Sequence, residues 1–243
     1  MTIIKHLLIA TVVATIGFLQ PAPSWSKSTD APIGSKHKSS IQIGNSDVVV
    51  PLPEGEWEVV GSDTLKWSAG TKKLNVNARS LVKVIDKKLH GVIYLNIPDR
   101  KSINGFEEDK FCNRKDIHHI VNNGNFRKGR DCWGVNHFRY NVWDKAPKMI
   151  KQTFKWFSDN KIPTPPNMID VEFSVVNDGR FIKAMYFFNP DVDGIAQSRS
   201  AEWSSTDWHP AKIYQFPEKQ AYVKSKIAWG EAWHKKILAA VGK

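Results

Sequence analysis

The stretch from Met168 to Phe188 constrains the fold more than any other part of this chain. Val171, Phe173 and Val175 alternate with Asp170, Glu172 and Ser174; Asn177-Asp178-Gly179 interrupts the pattern, and Arg180 to Phe188 follows. Side chains repeat every two residues along a strand, and Asn, Asp and Gly tolerate the positive backbone angles of a tight turn. Residues 168–176 and 180–188 are therefore predicted to form a β-hairpin, closed by Asn189-Pro190.

Similar signals recur upstream. Residues 48–60 (VVVPLPEGEWEVV) read as strand, Pro-Gly turn and strand, with Trp57 on the second strand. Leu74 to Asp86 and His90 to Ile97 read as a further pair of strands around Lys87-Lys88. Residues 102–141 are polar, carry the turn Asn122-Asn123-Gly124-Asn125, and read as an irregular middle. A helix is predicted over 145–159, with Met149, Ile150, Thr153, Phe154 and Phe157 on one face and Asp144 as a candidate cap. Pro163, Pro165 and Pro166 end it. Residues 191–207 form a polar connection, and 217–241 form a second helix whose wide apolar face includes Tyr222, Val223, Ile227, Trp229, Trp233, Ile237 and Val241. Hairpins in place of βαβ units imply an α+β fold, with a mainly antiparallel sheet and helices packed on it.

The N-terminus points to export. Lys5 precedes an uncharged apolar run, Leu7 to Leu19, whose helix would rise only about 20 Å against a hydrocarbon core of about 30 Å. Gln20-Pro21-Ala22-Pro23-Ser24-Trp25-Ser26 then supplies helix breakers and small residues. The expected organisation is a signal peptide over 1–26, cleaved near Ser26, a flexible leader over 27–45 and a single α+β domain over 46–243. The expected location is periplasmic or secreted, with no transmembrane segment in the mature chain. Removing residues 1–26 takes away Lys5 and no acid, so the formal charge of +11 becomes +10. This basic balance suits anionic envelope components as partners. The lysines are scattered, and nucleic acid is not expected.

Cys112 and Cys132 are the only cysteines, and in an oxidising compartment they are expected to form one disulfide. Closing this loop contributes roughly 3 kcal/mol in the chain-entropy description. His118, His119 and His137 lie near the cysteines, but the spacing matches no zinc finger or ribbon, and neither metal nor cofactor is expected.

The chain lacks a G-x-S-x-G elbow, a P-loop, G-x-G-x-x-G, H-E-x-x-H and a haem C-x-x-C-H motif. Asp191-Val192-Asp193-Gly194 resembles a fragment of a calcium loop, but Glu202 is not at the distal ligand spacing, so a turn is expected. Glu107-Glu108-Asp109 reads as a solvated acidic cluster. Asp131 to His137 is the most unusual local sequence. Trp133, His137, Trp203, Trp208 and His209 are candidates to border a pocket there, with His137 as the candidate general base. In the last helix, Lys224, Lys226, Lys235 and Lys236 are candidate contacts to an anionic surface.

Three motifs together, Val50-Pro51-Leu52-Pro53-Glu54-Gly55-Glu56-Trp57, Cys132-Trp133-Gly134-Val135-Asn136-His137 and Phe188-Asn189-Pro190, resemble an uncharacterised family of exported, mostly proteobacterial proteins. The resemblance implies a periplasmic or secreted setting and carries no activity. The Pro-Gly-Trp opening is also similar to the start of Mog1/PsbP-like α/β/α domains, which bears on fold alone. The leading expectation is a non-catalytic binding or envelope-associated module. The alternatives are a hydrolase acting on envelope material through His137 and a peripheral binder of anionic lipid or polymer through the last helix.

Overall fold

Consecutive hairpins build most of the sheet. In chain order the strands are β1 (Lys36–His37), β2 (Ser40–Gln42), β3 (Val49–Pro51), β4 (Trp57–Ala69), β5 (Lys72–Ile85), β6 (Lys88–Pro98), β7 (His119–Asn125), β8 (Arg130–Arg139), β9 (Asn167–Asn177) and β10 (Arg180–Phe188). The helices are α1 (Lys148–Asp159) and α2 (Pro217–Ala240). A computed structural model describes residues 30–69, 72–198, 200 and 202–242. The expected signal peptide, and residues 27–29 of the expected leader, lie outside the described residues.

Eight strands pair antiparallel in the order β1-β4-β5-β6-β10-β9-β8-β7, while β2 and β3 form a separate ribbon. The α+β class and antiparallel sheet read from the sequence are thus present. Asp86 and Lys87 at the β5–β6 turn, and Asp178 and Gly179 at the β9–β10 turn, all have positive φ, as two-residue hairpin turns require.

The two helices cover opposite faces of the sheet. Val59, Leu81, Ile93 and Ile169 join a core with Tyr222, Val223, Trp233 and Ile237 of α2. Val60, Val82, Val92 and Met168, next to them in the chain, join Met149 and Phe157 of α1. Alternate side chains of a strand point to opposite faces, so these are two separate cores sharing one sheet. Among the described residues, no helix is long and apolar enough to cross a membrane.

Four sequence expectations need correction. Packing begins upstream of residue 46: Ile41 and Ile43 of the expected flexible leader are buried in the α2-side core. The buried Arg79 holds the same segment, its Nε donating to the Ala31 carbonyl at 2.9 Å and its Nη2 meeting Asp30 at 2.6 Å. The two strands within 48–60 do not pair with one another; β3 pairs with β2, and β4 with β1 and β5. The loop Leu52-Pro53-Glu54-Gly55-Glu56 carries the chain from ribbon to sheet instead of reversing it. The middle is not irregular: residues 119–139 form the β7–β8 hairpin on the sheet edge. Its apolar residues are too few on β7 to show an alternating pattern. Finally, Pro147 precedes α1 with no side-chain cap, so Asp144 does not cap it.

Candidate functional site

The disulfide expected from the sequence is formed, and it prepares one wall of a polar site. Cys112, in a short 3-10 turn (Lys110–Asn113), is bonded to Cys132 of β8. Phe111, Ile117 and Ile120 pack around the bridge. This ties the segment between β6 and β7 down onto the α1 side of the sheet. Asp109 starts the short turn by accepting the Phe111 N–H at 3.0 Å.

Below that segment the sheet is polar. Asn96 of β6, Lys183 of β10, Ser174 of β9 and Cys132 of β8 lie directly opposite one another across neighbouring strands, and so share a face. Two residues along β9, Glu172 lies between Met185 and Gly134; two further, Asp170 lies between Phe187 and Asn136. Asn96, Asn136, Asp170, Glu172 and Ser174 are all buried. A central strand holding two carboxyls inside a covered sheet is costly unless they are matched.

Part of the floor is matched. Lys183 Nζ meets Asp109 Oδ2 at 2.8 Å and Glu172 Oε1 at 2.9 Å. Ser174 Oγ donates to Asp109 Oδ2 at 2.9 Å and accepts from Arg130 Nη1 at 3.1 Å. Arg130 also donates through Nε to Asn125 at 3.1 Å and through Nη2 to the Glu107 carbonyl. Burial opposes ionisation of Asp109, but the Lys183 charge and its donors outweigh this and hold the carboxyl below its ordinary value. Burial likewise opposes the Lys183 charge, and Glu172 and Asp109 reverse the balance and raise its pKa. Glu172 is pushed up by desolvation, with Lys183 resisting.

Above Lys183 the floor opens into a cleft of about 360 Å³. Its walls are Lys66, Trp67 and Ser68 at the end of β4, Phe106 to Asp109, and Arg130. Trp67 and Phe106 rest against Phe181 at ring separations of 5.4 and 4.9 Å. The cleft lining carries three cations (Lys66, Arg130, Lys183) against three acids (Glu107, Glu108, Asp109), so it is not a polyanion site. Glu107-Glu108-Asp109 is thus partly a wall of this cleft, with Asp109 turned inward.

The other residues singled out by sequence separate into two groups. Trp203, His209 and His137 come together: the Trp203 ring stacks on His137 at 5.1 Å, and His209 lies 4.5 Å from Trp203 and 5.9 Å from His137. His118 joins them, 5.7 Å from His137. The His137 ring is fully buried, with Nε2 3.0 Å from the Trp203 carbonyl. Burial lowers the pKa of both His118 and His137 to about 4, so both are neutral at pH 7. Among the described residues, no group of three or more His, Cys, Asp or Glu could hold a metal ion.

Trp133 lies elsewhere on the same strand face, near His119, Phe173 and His234. Trp208 is fully buried beside Lys219 and Tyr222. Of the α2 lysines, Lys224 and Lys235 are exposed, and Lys236 lies over the Trp233 ring at 4.2 Å. Lys226 is folded over Phe188 and Tyr222 and lies 3.6 Å from Asp193. Asp193 also accepts from the Tyr222 hydroxyl at 3.0 Å, and Asp191-Val192-Asp193-Gly194 forms the expected turn.

Sequence reading missed Asp170, Glu172, Ser174, Lys183 and Arg130 as site residues. The alternation located the first three on the polar side of a hairpin. What would have flagged them is the presence of two helices and one sheet, which leaves little of that side in water. Comparison with protein-family models, with curated proteins and with solved structures finds no match to this chain.

Proposed function

We propose that this protein is an exported, non-catalytic binding module that receives a small polar ligand in the cleft above Lys183. The observation carrying this reading is the charged floor of Asp109, Glu172, Lys183 and Arg130, with Glu172 and Arg130 buried and Asp109 and Lys183 partly so, next to an opening of about 360 Å³. That size falls in the range of small-molecule sites, and buried charged groups add little stability over apolar ones, so a cluster of them beside a cleft points to a site kept for function. Trp67 and Phe106 offer apolar contact, while the walls offer donors and acceptors in balance. The mature charge of +10, from +11 less Lys5, suits work beside anionic envelope material.

The two other readings have less support. A hydrolase using His137 needs that imidazole in contact with substrate, and here it is sealed beneath Trp203. A peripheral membrane binder needs the apolar face of α2 free, and Tyr222, Val223, Trp233 and Ile237 are in the core.

The test is a two-dimensional NMR screen of the mature protein against mixed small polar metabolites. Shifts are expected at the Trp67 indole N–H, Glu108 and Lys183, and should be lost in Trp67→Ala. Absence of any response around the cleft across the mixtures would overturn the binding reading. Export is checked separately: fractionation of the native host should find a chain beginning near Lys27 outside the cytosol, with no free thiol.

A further inference from the structure

The polar floor continues past the cleft to a point where acceptors outnumber donors. Asp170 and Asn136 face each other directly across β9 and β8, and both are at least nine-tenths buried. Among the described residues, Asp170 Oδ1 and Asn136 Oδ1 are each buried without a hydrogen-bond partner. Glu172 lies one step along the same face, its Oε1 held by Lys183 at 2.9 Å.

The neighbouring cations are already engaged. Lys183 serves Asp109 and Glu172, and Arg130 serves Ser174, Asn125 and the Glu107 carbonyl. Arg114, the other cation acting on Asp170, is held by Asp116 through two hydrogen bonds of 2.8 Å. Buried polar groups in folded proteins are nearly always satisfied; the Asn136 amide can turn its N–H to Asp170, but a neutral amide leaves the carboxyl charge unbalanced, and a cationic donor from outside the chain would offset it.

We propose that Asp170, Asn136 and Glu172 receive a cationic nitrogen, the ammonium or guanidinium end of a small organic ligand. The assignment rests on the binding reading above and names the chemistry of its ligand. An ammonium offers three N–H donors to acceptors that lack them, and its charge offsets that of Asp170. A carboxylate or phosphate group would meet like charge here. A saccharide would leave the carboxyl charge uncompensated.

The groups bearing on Asp170 are Glu172 on its own strand, which opposes its ionisation, and Arg114 from the segment after the disulfide turn, which favours it. Lys183 and Asp109 act on Glu172 from β10 and the disulfide segment. Burial and Glu172 prevail, moving Asp170 up to about 7. Acid should therefore discharge the site and release the cation.

The experiment measures binding of 1,4-diaminobutane, arginine amide, methyl glucoside, succinate and calcium chloride by calorimetry, with NMR of the Asp170 and Glu172 carboxyl carbons. The diamine or arginine amide is expected to bind at pH 8, to shift both carboxyls, and to weaken at least tenfold at pH 5.5. Asp170→Asn, which keeps the shape, should lose at least tenfold; the exposed Asp178→Asn should lose nothing. Circular dichroism checks that both variants fold. If methyl glucoside or succinate binds at Trp67 and Lys183 while the amines do not bind, the cationic assignment fails and the cleft reading stands. Calcium binding at Asp170 without amine binding also defeats the assignment. If no probe binds anywhere, both readings fail.

Discussion

Asp170 and His137 are single residues whose burial gives opposite pH signatures. Asp170 is moved up from 3.8 to about 7 by desolvation, with Glu172 adding to it. Between those values the folded chain binds more protons than the unfolded chain, so this group makes stability fall as pH rises. Asp170→Asn removes that penalty. It is expected to raise stability at pH 8 by on the order of 2–4 kcal/mol and to change little at pH 4. Urea denaturation at the two pH values measures this, and equal effects at both would show that Asp170 is not carrying a desolvated charge. His118 and His137 behave inversely. Their pKa values fall to about 4 from 6.5, mainly through burial, so the unfolded chain binds more protons between these values. Stability from these two is present above pH 6.5 and is lost as pH falls toward 4. His137→Gln, which cannot gain a proton, should flatten the acid limb of the stability profile. An unchanged slope would count against a neutral, buried imidazole.

At the level of elements, two contacts set how closely helix and sheet approach. A Cβ added at Gly230 of α2 would lie 2.5 Å from the Trp133 ring of β8, and one at Gly61 of β4 would lie 2.5 Å from the Met149 carbonyl of α1. Glycine is needed at both places because a backbone passes against a partner. Gly230→Ala should lower stability by about 1–3 kcal/mol through overpacking, although alanine is the better helix former. Thermal denaturation reads this directly, and a stabilised variant would mean that α2 is free to move off β8. The β9–β10 and β5–β6 hairpins were legible because turn chemistry and alternation agree within about twenty residues. The β7–β8 hairpin was not: His119-Ile120-Val121-Asn122-Asn123-Gly124-Asn125 is an edge strand, and its pairing with β8 rests on partners its own residues do not reveal. The Ile41–Ile43 segment reads as leader because two isoleucines in polar surroundings are a weak signal until the core they share with α2, far along the chain, is assembled. The floor residues failed for a related reason, since local alternation reports which side of a strand is polar and not whether that side is buried.

The whole molecule places two apolar cores on one sheet, and this determines how it unfolds. Ile237 of α2 is fully buried in one core and Phe157 of α1 is buried in the other. β4, β5, β6, β8, β9 and β10 line both faces, so neither core can open without losing the strands that support its counterpart. Unfolding is therefore expected to be one transition, coincident by tryptophan fluorescence and far-ultraviolet circular dichroism. Ile237→Ala should cost about 2–5 kcal/mol and Phe157→Ala about 3–5 kcal/mol. The sheet separates the two sites and they share no partner, so the double variant should equal the sum to within roughly 0.5 kcal/mol. Reducing the Cys112–Cys132 bond should lower the same transition by about 3 kcal/mol, because the unfolded chain then regains the entropy of the open loop. Two resolved transitions, with Ile237→Ala moving one and Phe157→Ala the other, would mean that the halves fold separately. The floor of Asp109, Glu172 and Lys183 would then lie on a boundary between units, and its charged groups would be explained by mobility in place of ligand binding.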